Sequence, residues 1–214
     1  MHTTVVFAGG PHPSPPHLSL PGPPPDLVVA ADSGLHVALL AGIPVDLVVG
    51  DLDSVDPVQL DRAVRSGTTV DRHPVDKDAT DLELALEAAL DAGTDRVVVV
   101  ASASGRMDHL LGALSVLASP RWAGFEIEAR FGAALIVPVH GRRSVAGRPG
   151  ALVSLLAVGG PAVGVTTSGL KWVLEGETLE PGSSRGMSNR FVTATAEVSV
   201  QRGCVVVVVP EEES

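Results

Sequence analysis

The sequence predicts an α/β protein: a doubly wound, mostly parallel, Rossmann-like sheet over residues 1–140, followed by a small β sandwich over 141–214. Three observations carry this. Short apolar runs alternate with helical periodicity up to about residue 118, the early runs end in Gly, Asp or Ser, and after residue 150 helix signals stop while strand signals continue. A chain of 214 residues is long enough for one large domain or two modest ones.

Residues 3–8 predict a buried first strand ending at Gly9-Gly10, where two missing Cβ atoms suit either a close phosphate or a plain turn. The proline-dominated stretch 11–25 excludes a helix or inner strand, so a surface loop is expected. Residues 27–31 give the second strand, which ends in Asp32-Ser33-Gly34 before a short apolar helix over 35–40 closed by Gly42 and Pro44. Asp32 there is a helix cap or a site residue. The third strand, 45–50, runs into Asp51-Leu52-Asp53-Ser54, and Asp56 caps a helix that Pro57 opens and that reaches about residue 65. Further on, Thr80 and Glu83 make a capping box. Leu82, Ala85, Leu86, Ala89 and Leu90 form one buried stripe until Gly93 ends the helix. Residues 96–102 predict a fourth strand, leading through a tight turn into a helix over 107–118, and 125–131 and 135–139 add two strands. Residues 141–150, rich in Gly and Arg, read as a linker. Beyond it, 152–158, 163–167, 170–174, 191–200 and 204–209 read as strands of a sandwich thin enough to need docking on the first domain or on another copy.

The chemistry centres on Asp51 and Asp53. Their i, i+2 spacing sends both carboxylates off one side of a strand end, and the carboxyl edge of such a sheet is where hard oxygen donors suit a magnesium ion carrying phosphates. Asp76, Asp78 and Asp81 follow. The helix dipole explains Asp81 but leaves Asp76 and Asp78 unexplained, and crowding them against Asp51 and Asp53 is either avoided in space or neutralised by a divalent cation. Arg106, Asp108 and His109 open a helix, where free amides and a guanidinium favour an anion; His109 serves equally well as a capping or packing residue.

Six stretches in order carry a more specific signal: Ala31-Asp32-Ser33-Gly34, Gly50-Asp51-Leu52-Asp53-Ser54, Asp76-Lys77-Asp78-Ala79-Thr80-Asp81, Gly105-Arg106-Met107-Asp108-His109, Gly169-Leu170-Lys171-Trp172 and Gly186-Met187-Ser188-Asn189. Together they resemble the motifs of the thiamine pyrophosphokinase family. The resemblance implies an α/β nucleotide-binding domain, a β sandwich that takes part in thiamine binding, and a homodimer. It also implies transfer of a pyrophosphoryl group from ATP to the thiamine hydroxyl with release of AMP. By that likeness Asp51, Asp53, Asp78 and Asp81 would hold Mg2+. Gly9, Gly10, Asp32, Ser33, Gly34, Gly105, Arg106 and His109 would bind ATP. Lys77, Asp108, Trp172, Ser188 and Asn189 would bind the acceptor, with Trp172 stacking on it, and Asp51, Asp81, Arg106 and Asp108 would carry the catalysis, Asp81 and Asp108 being candidate bases.

The sequence departs from the family pattern where Ala101 and Ser104 replace two glycines around the Arg106 turn, Ser33 replaces another, Leu52 a phenylalanine and Ala113 an asparagine. Rival readings are a pyrophosphokinase for another acceptor such as a hydroxymethylpterin, a haloacid dehalogenase-like phosphatase using Asp51, and a nucleotide sensor without turnover.

Composition bounds the partners. A net charge of -10, with 15 basic residues scattered among 25 acids, disfavours nucleic acid. No apolar run approaches a membrane span, and residues 1–7 lack the basic start of a secretory signal, so a cytoplasmic location is expected. The single cysteine, Cys204, excludes a disulfide within the chain and reads as a buried hydrophobe.

Overall fold

The computed structural model describes residues 1–10, 23–102 and 106–210, so most of the expected proline loop and the turn residues Ala103, Ser104 and Gly105 lie outside the described residues. Chain contacts divide the molecule into two compact units, residues 1–110 with 124–132 and residues 111–123 with 133–214. The architecture is mixed α/β.

In the first unit the strands are β1 (Thr3–Ala8), β2 (Leu27–Ala31), β3 (Leu47–Gly50), β4 (Thr69–Arg72), β5 (Arg96–Ala101) and β6 (Glu126–Phe131), and the helices α1 (Gly34–Leu40), α2 (Pro57–Arg65), α3 (Asp81–Asp91) and the start of α4 (Met107–Leu117). Every strand pair is parallel, in the order β4-β3-β2-β1-β5-β6. Residues of both parities are buried along β1 and β5, as a sheet covered on both faces requires. Val5, Phe7, Val28, Ala30, Val48, Val98 and Val100 share one core with Leu35 and Ala38 of α1 and Ala63 of α2, while α3 packs on β1, β2 and β3. Because β2 lies on one side of β1 and β5 on the other, the strand order reverses at β1. That reversal leaves a crevice at the carboxyl ends.

The second unit holds β7 (Ala134–Val139), β8 (Arg142–Ala146), β9 (Leu152–Ala157), β10 (Ala162–Ser168), β11 (Glu175–Leu179), β12 (Asn189–Arg190), β13 (Thr195–Ser199) and β14 (Val205–Val209). One antiparallel array runs β12-β9-β14-β7 and another β11-β10-β13-β8. Val137, Leu155 and Val205 from the first and Val165, Leu179 and Val198 from the second meet in one apolar core.

Several expectations change. Residues 142–146 form a strand, β8, paired with β13, where the sequence suggests a linker; Val145 is the one residue of it that is buried, too little for an apolar signal. The strand expected at 135–139 forms as β7 and pairs antiparallel with β14. The strand expected at 170–174 is a single bridge, Leu170 to Phe191, and the ladder starts at Glu175. The long strand expected over 191–200 contracts to β13. Like β11, two further strands had no forerunner in the sequence: β4 buries none of its residues fully, and β12 is two residues long. Among the described residues no helix is long and apolar enough to cross a membrane.

Candidate active site

Sheet register builds the site. Ala31 and Val49 are partners in the β2–β3 ladder, so Asp32 and Asp51, leaving those strand ends, are brought side by side; the Asp32 amide donates to the Val49 carbonyl at 2.8 Å. The turn that follows is tightly bent. Asp32 has φ 47° and Leu52 φ 65°, left-handed conformations that cost a residue with a Cβ about 1 kcal/mol or more. With this backbone Asp32, Asp51 and Asp53 each offer an oxygen within 4.8 Å of the others.

A fourth acid enters from the first turn of α3. A Cβ on Gly50, whose φ is 140°, would come 3.0 Å from Asp81 Oδ1 and 3.3 Å from Asp32 Cβ, so a side chain there would be strained by the backbone and would crowd the acids. Lys77 lies between the groups: its Nζ is 3.1 Å from Asp51 Oδ2 and 3.1 Å from Asp81 Oδ1, and donates to the Pro74 carbonyl at 3.3 Å. The Asp53 amide donates to Asp51 Oδ1 at 3.1 Å, and Arg72 NH1 to the Asp51 carbonyl at 3.0 Å.

The charges respond to this crowding. Burial raises the Asp32 pKa above the ordinary carboxylate value; a hydrogen bond from the Ser33 backbone pulls it back, and the charges of Asp81, Asp51 and Asp53 push it up again. Asp51 is held below the ordinary value, first by the Asp53 amide and then by Lys77. Burial works against the Lys77 charge, yet the neighbouring carboxylates of Asp51 and Asp81 leave its pKa raised.

The donor set fits a hard divalent cation. Asp32 Oδ1 and Asp81 Oδ1 are buried and accept no hydrogen bond, the Asp81 contact with Lys77 being an ion pair outside hydrogen-bonding geometry. Buried carboxylate oxygens without donors in an oxygen-only cluster are what magnesium seeks. Asp32, Asp51 and Asp53 are the nearest set of holders, with Asp81 against the same turn. Asp78 is exposed and stands outside the group of three, whereas Asp32, assigned from sequence to the nucleotide, is inside it. The signal for Asp32 was its place at a strand end equivalent to that of Asp51.

Beside the acids, Gly10, Ser33, His36, Ser54, Asp56 and Gln59 line an open cleft of about 270 Å³. Its glycines are forced by packing. A Cβ on Gly9 would meet Ser33 Oγ at 2.0 Å, one on Gly10 would meet Ser102 Cβ at 2.5 Å, and one on Gly34 the Phe7 carbonyl at 1.9 Å. His36 Nδ1 and Gln59 Oε1 are hydrogen-bonded at 2.9 Å across the cleft wall.

Arg106 and Asp108 form an exposed fork, Nε donating to Oδ1 at 3.2 Å and NH2 to Oδ2. Arg106 holds the Asp108 carboxyl down at about 2, and Asp108 in turn raises the guanidinium pKa. His109 is exposed in the first turn of α4, and Gly105 falls outside the described residues. Ala101 closes β5 and takes no left-handed conformation, so a methyl group costs nothing where a family glycine was expected.

In the second unit, the antiparallel bridge between Leu170 and Phe191 brings Trp172 and Asn189 together, with Ser188 next to Asn189 in the chain. The buried Asn189 side chain accepts from the Trp172 amide at 3.1 Å and donates to the Trp172 carbonyl at 2.7 Å, so it holds the tryptophan's backbone in place. The Trp172 ring is 50% exposed, with Lys171 Nζ 4.7 Å from its centroid. Ser188 has φ 56°, and its amide donates to Ser154 Oγ at 3.1 Å. Gly186 is required because a Cβ there would lie 2.1 Å from the Leu155 carbonyl.

A parallel sheet with converging carboxylates at its carboxyl edge, beside a cleft lined by glycine and serine, is the arrangement of the nucleotide-binding class of α/β folds. Residues 24–129 match the family profile described as "Thiamin pyrophosphokinase, catalytic domain", and residues 142–205 match "Thiamin pyrophosphokinase, vitamin B1 binding domain". The chain belongs to the thiamine pyrophosphokinase family. It is 34% identical over 118 residues to thiamine pyrophosphokinase of Bacillus subtilis, a stretch that covers 55% of this chain and 55% of that protein. It is 31% identical over 155 residues to thiamine pyrophosphokinase 2 of Arabidopsis thaliana, covering 67% of this chain and 57% of the relative. These alignments thus span little more than half the length of the curated relatives. The fold is similar to a crystal structure of the Bacillus subtilis enzyme (TM-score 0.84, 23% identity, covering 99% of this chain and 100% of that one). It is also similar to that of a thiamin pyrophosphokinase family protein from Enterococcus faecalis (TM-score 0.78, 26% identity, all of both chains).

Proposed function

We propose that this protein is a thiamine pyrophosphokinase, moving a pyrophosphoryl group from ATP to the thiamine hydroxyl and releasing AMP. The observation that carries the reading is the convergence of Asp32, Asp51 and Asp53, with Asp81 against the same turn, at the carboxyl edge of a parallel sheet. Bound there, Mg2+ would offset the charge of the triphosphate and of the carboxylates alike. Asp32, Asp51 and Asp53 would hold it and Asp81 would close the set. The cleft over Gly10, Ser33 and Ser54 lies alongside and would take the nucleotide, and Arg106 would meet its phosphates. Asp108, held near 2 by Arg106, is a poor proton acceptor while that pair lasts, which leaves Asp81 as the better placed base for the acceptor hydroxyl. Trp172 would stack on the cationic acceptor ring, with Ser188 beside it and Asn189 fixing the tryptophan.

In this reading residues 1–140 form a Rossmann-like catalytic domain. Residues 141–214 form a β sandwich that contributes to acceptor binding and to a homodimer, and the enzyme works in the cytoplasm. The single informative experiment mixes the protein with ATP, Mg2+ and thiamine and identifies the nucleotide released. AMP together with thiamine diphosphate supports the reading. ADP would indicate an ordinary kinase, free phosphate a phosphatase, and either result rejects it.

A further inference from the structure

We infer that Lys77 is a built-in counter-ion that occupies the cation position of the acidic site and must leave Asp51 and Asp81 when a divalent ion enters. The inference rests on the metal reading above and concerns what this chain does before metal arrives.

The geometry is specific. The Lys77 ammonium donates to Asp51 Oδ2 and to the Pro74 carbonyl, at 3.1 and 3.3 Å, and is ion-paired with Asp81 Oδ1 at 3.1 Å. Its side chain is 14% exposed, as is that of Asp51, so this is a seated charge with little solvent screening. It bridges one acid of the three-carboxylate group and the acid beside it, while Asp51's other oxygen accepts from the Asp53 amide. A cation that uses Asp51 therefore meets the Lys77 ammonium at Oδ2 itself or one carboxylate oxygen away from it. The two positive charges also repel at that spacing. Among the described residues no other charged group is paired with the lysine, whose remaining partner is the Pro74 carbonyl on its own loop, three residues back. A short swing on four methylenes takes the ammonium from the carboxylates toward incoming phosphate oxygens, which suits a flexible point charge.

Two consequences separate this role from a merely structural ion pair. Removing the ammonium should tighten divalent binding, because the ion no longer displaces anything, and it should destabilise the metal-free protein while leaving the metal-loaded protein little affected.

The test measures Mn2+ binding without nucleotide, by the electron paramagnetic resonance signal of free Mn2+, for the wild-type chain, Lys77→Met and Lys77→Arg. Melting temperatures are recorded with and without saturating Mn2+. The expected result is roughly tenfold tighter Mn2+ binding by Lys77→Met, with a lower melting temperature in chelator that Mn2+ restores to the wild-type value, and near wild-type behaviour in Lys77→Arg. Tight binding by Lys77→Met alone, with none by the wild type, also supports the inference. Equal or weaker Mn2+ binding by Lys77→Met overturns it, as does a melting deficit that persists in full when Mn2+ is bound. If neither protein takes up Mn2+ at millimolar concentration, the metal reading itself has failed and the inference falls with it.

Discussion

Asp32 shows how a carboxylate crowded by other carboxylates opposes folding. Its pKa is raised above the ordinary carboxylate value, so between that value and the raised one the folded protein holds a proton the unfolded chain has lost. The native state therefore binds more protons in that window, and stability falls as pH rises through it. At neutral pH the ionised carboxylate is a liability that only a cation relieves. Asp32→Asn keeps the shape and drops the charge. In chelator at pH 7 it should melt higher than wild type by on the order of 1–2 °C, a small shift because Asp32 is only partly buried. The advantage should vanish below about pH 4, where both carboxyls are protonated. A calorimetric series across pH checks this, and a lower melting temperature for the variant at pH 7 would show that Asp32 is stabilising instead. Asp51→Asn tests chemistry at the next position. Turnover should fall by about a hundredfold or more with the circular dichroism spectrum unchanged, and full activity would remove Asp51 from the metal set.

At the level of elements, what was legible in the sequence was what is local. Asp56 before Pro57 and Thr80 before Glu83 announce helix starts, and both side chains cap as expected, Asp56 Oδ1 accepting from the Val58 amide at 2.8 Å and Thr80 Oγ1 from the Glu83 amide at 3.2 Å. The cap is worth measuring: Asp56→Ala should destabilise by about 1 kcal/mol, a drop of roughly 2–4 °C in Tm, and no change would mean that the tertiary packing of α2 makes its cap redundant. Strands β4, β11 and β12 left no trace because their stability comes from a neighbour. Thr69–Arg72 and Glu175–Leu179 lie at the ends of their sheets with most side chains in water, so neither needs an apolar run. The same distinction runs through the site. Asp51 and Asp53 stand out because one strand end delivers both, and Asp32 repeats the pattern one strand over. That Lys77 would sit between Asp51 and Asp81 depends on how residues 73–80 fold back across the sheet edge, which no local pattern encodes.

For the whole molecule, the carboxylates belong to the first unit and Trp172 to the second, so the proposed roles can be perturbed separately. Half of the Trp172 surface faces solvent, an expensive exposure for an indole unless something covers it, and its backbone is clamped on both sides by one asparagine. Lys171 already places an ammonium 4.7 Å from the ring centroid, so a cationic acceptor of the kind proposed would take the other face or displace the lysine. Stacking of that kind is worth about 0.5 to 2 kcal/mol, or roughly 2- to 30-fold in affinity. Trp172→Ala should accordingly raise KM for thiamine within that range and leave KM for ATP within about twofold. Asn189→Ala should reproduce the direction with a smaller effect, because the indole remains but loses its clamp. Equal increases in both constants would mean that the substitution loosens the protein generally. An unchanged thiamine KM in Trp172→Ala would place the acceptor elsewhere, and with it the function assigned to the second unit.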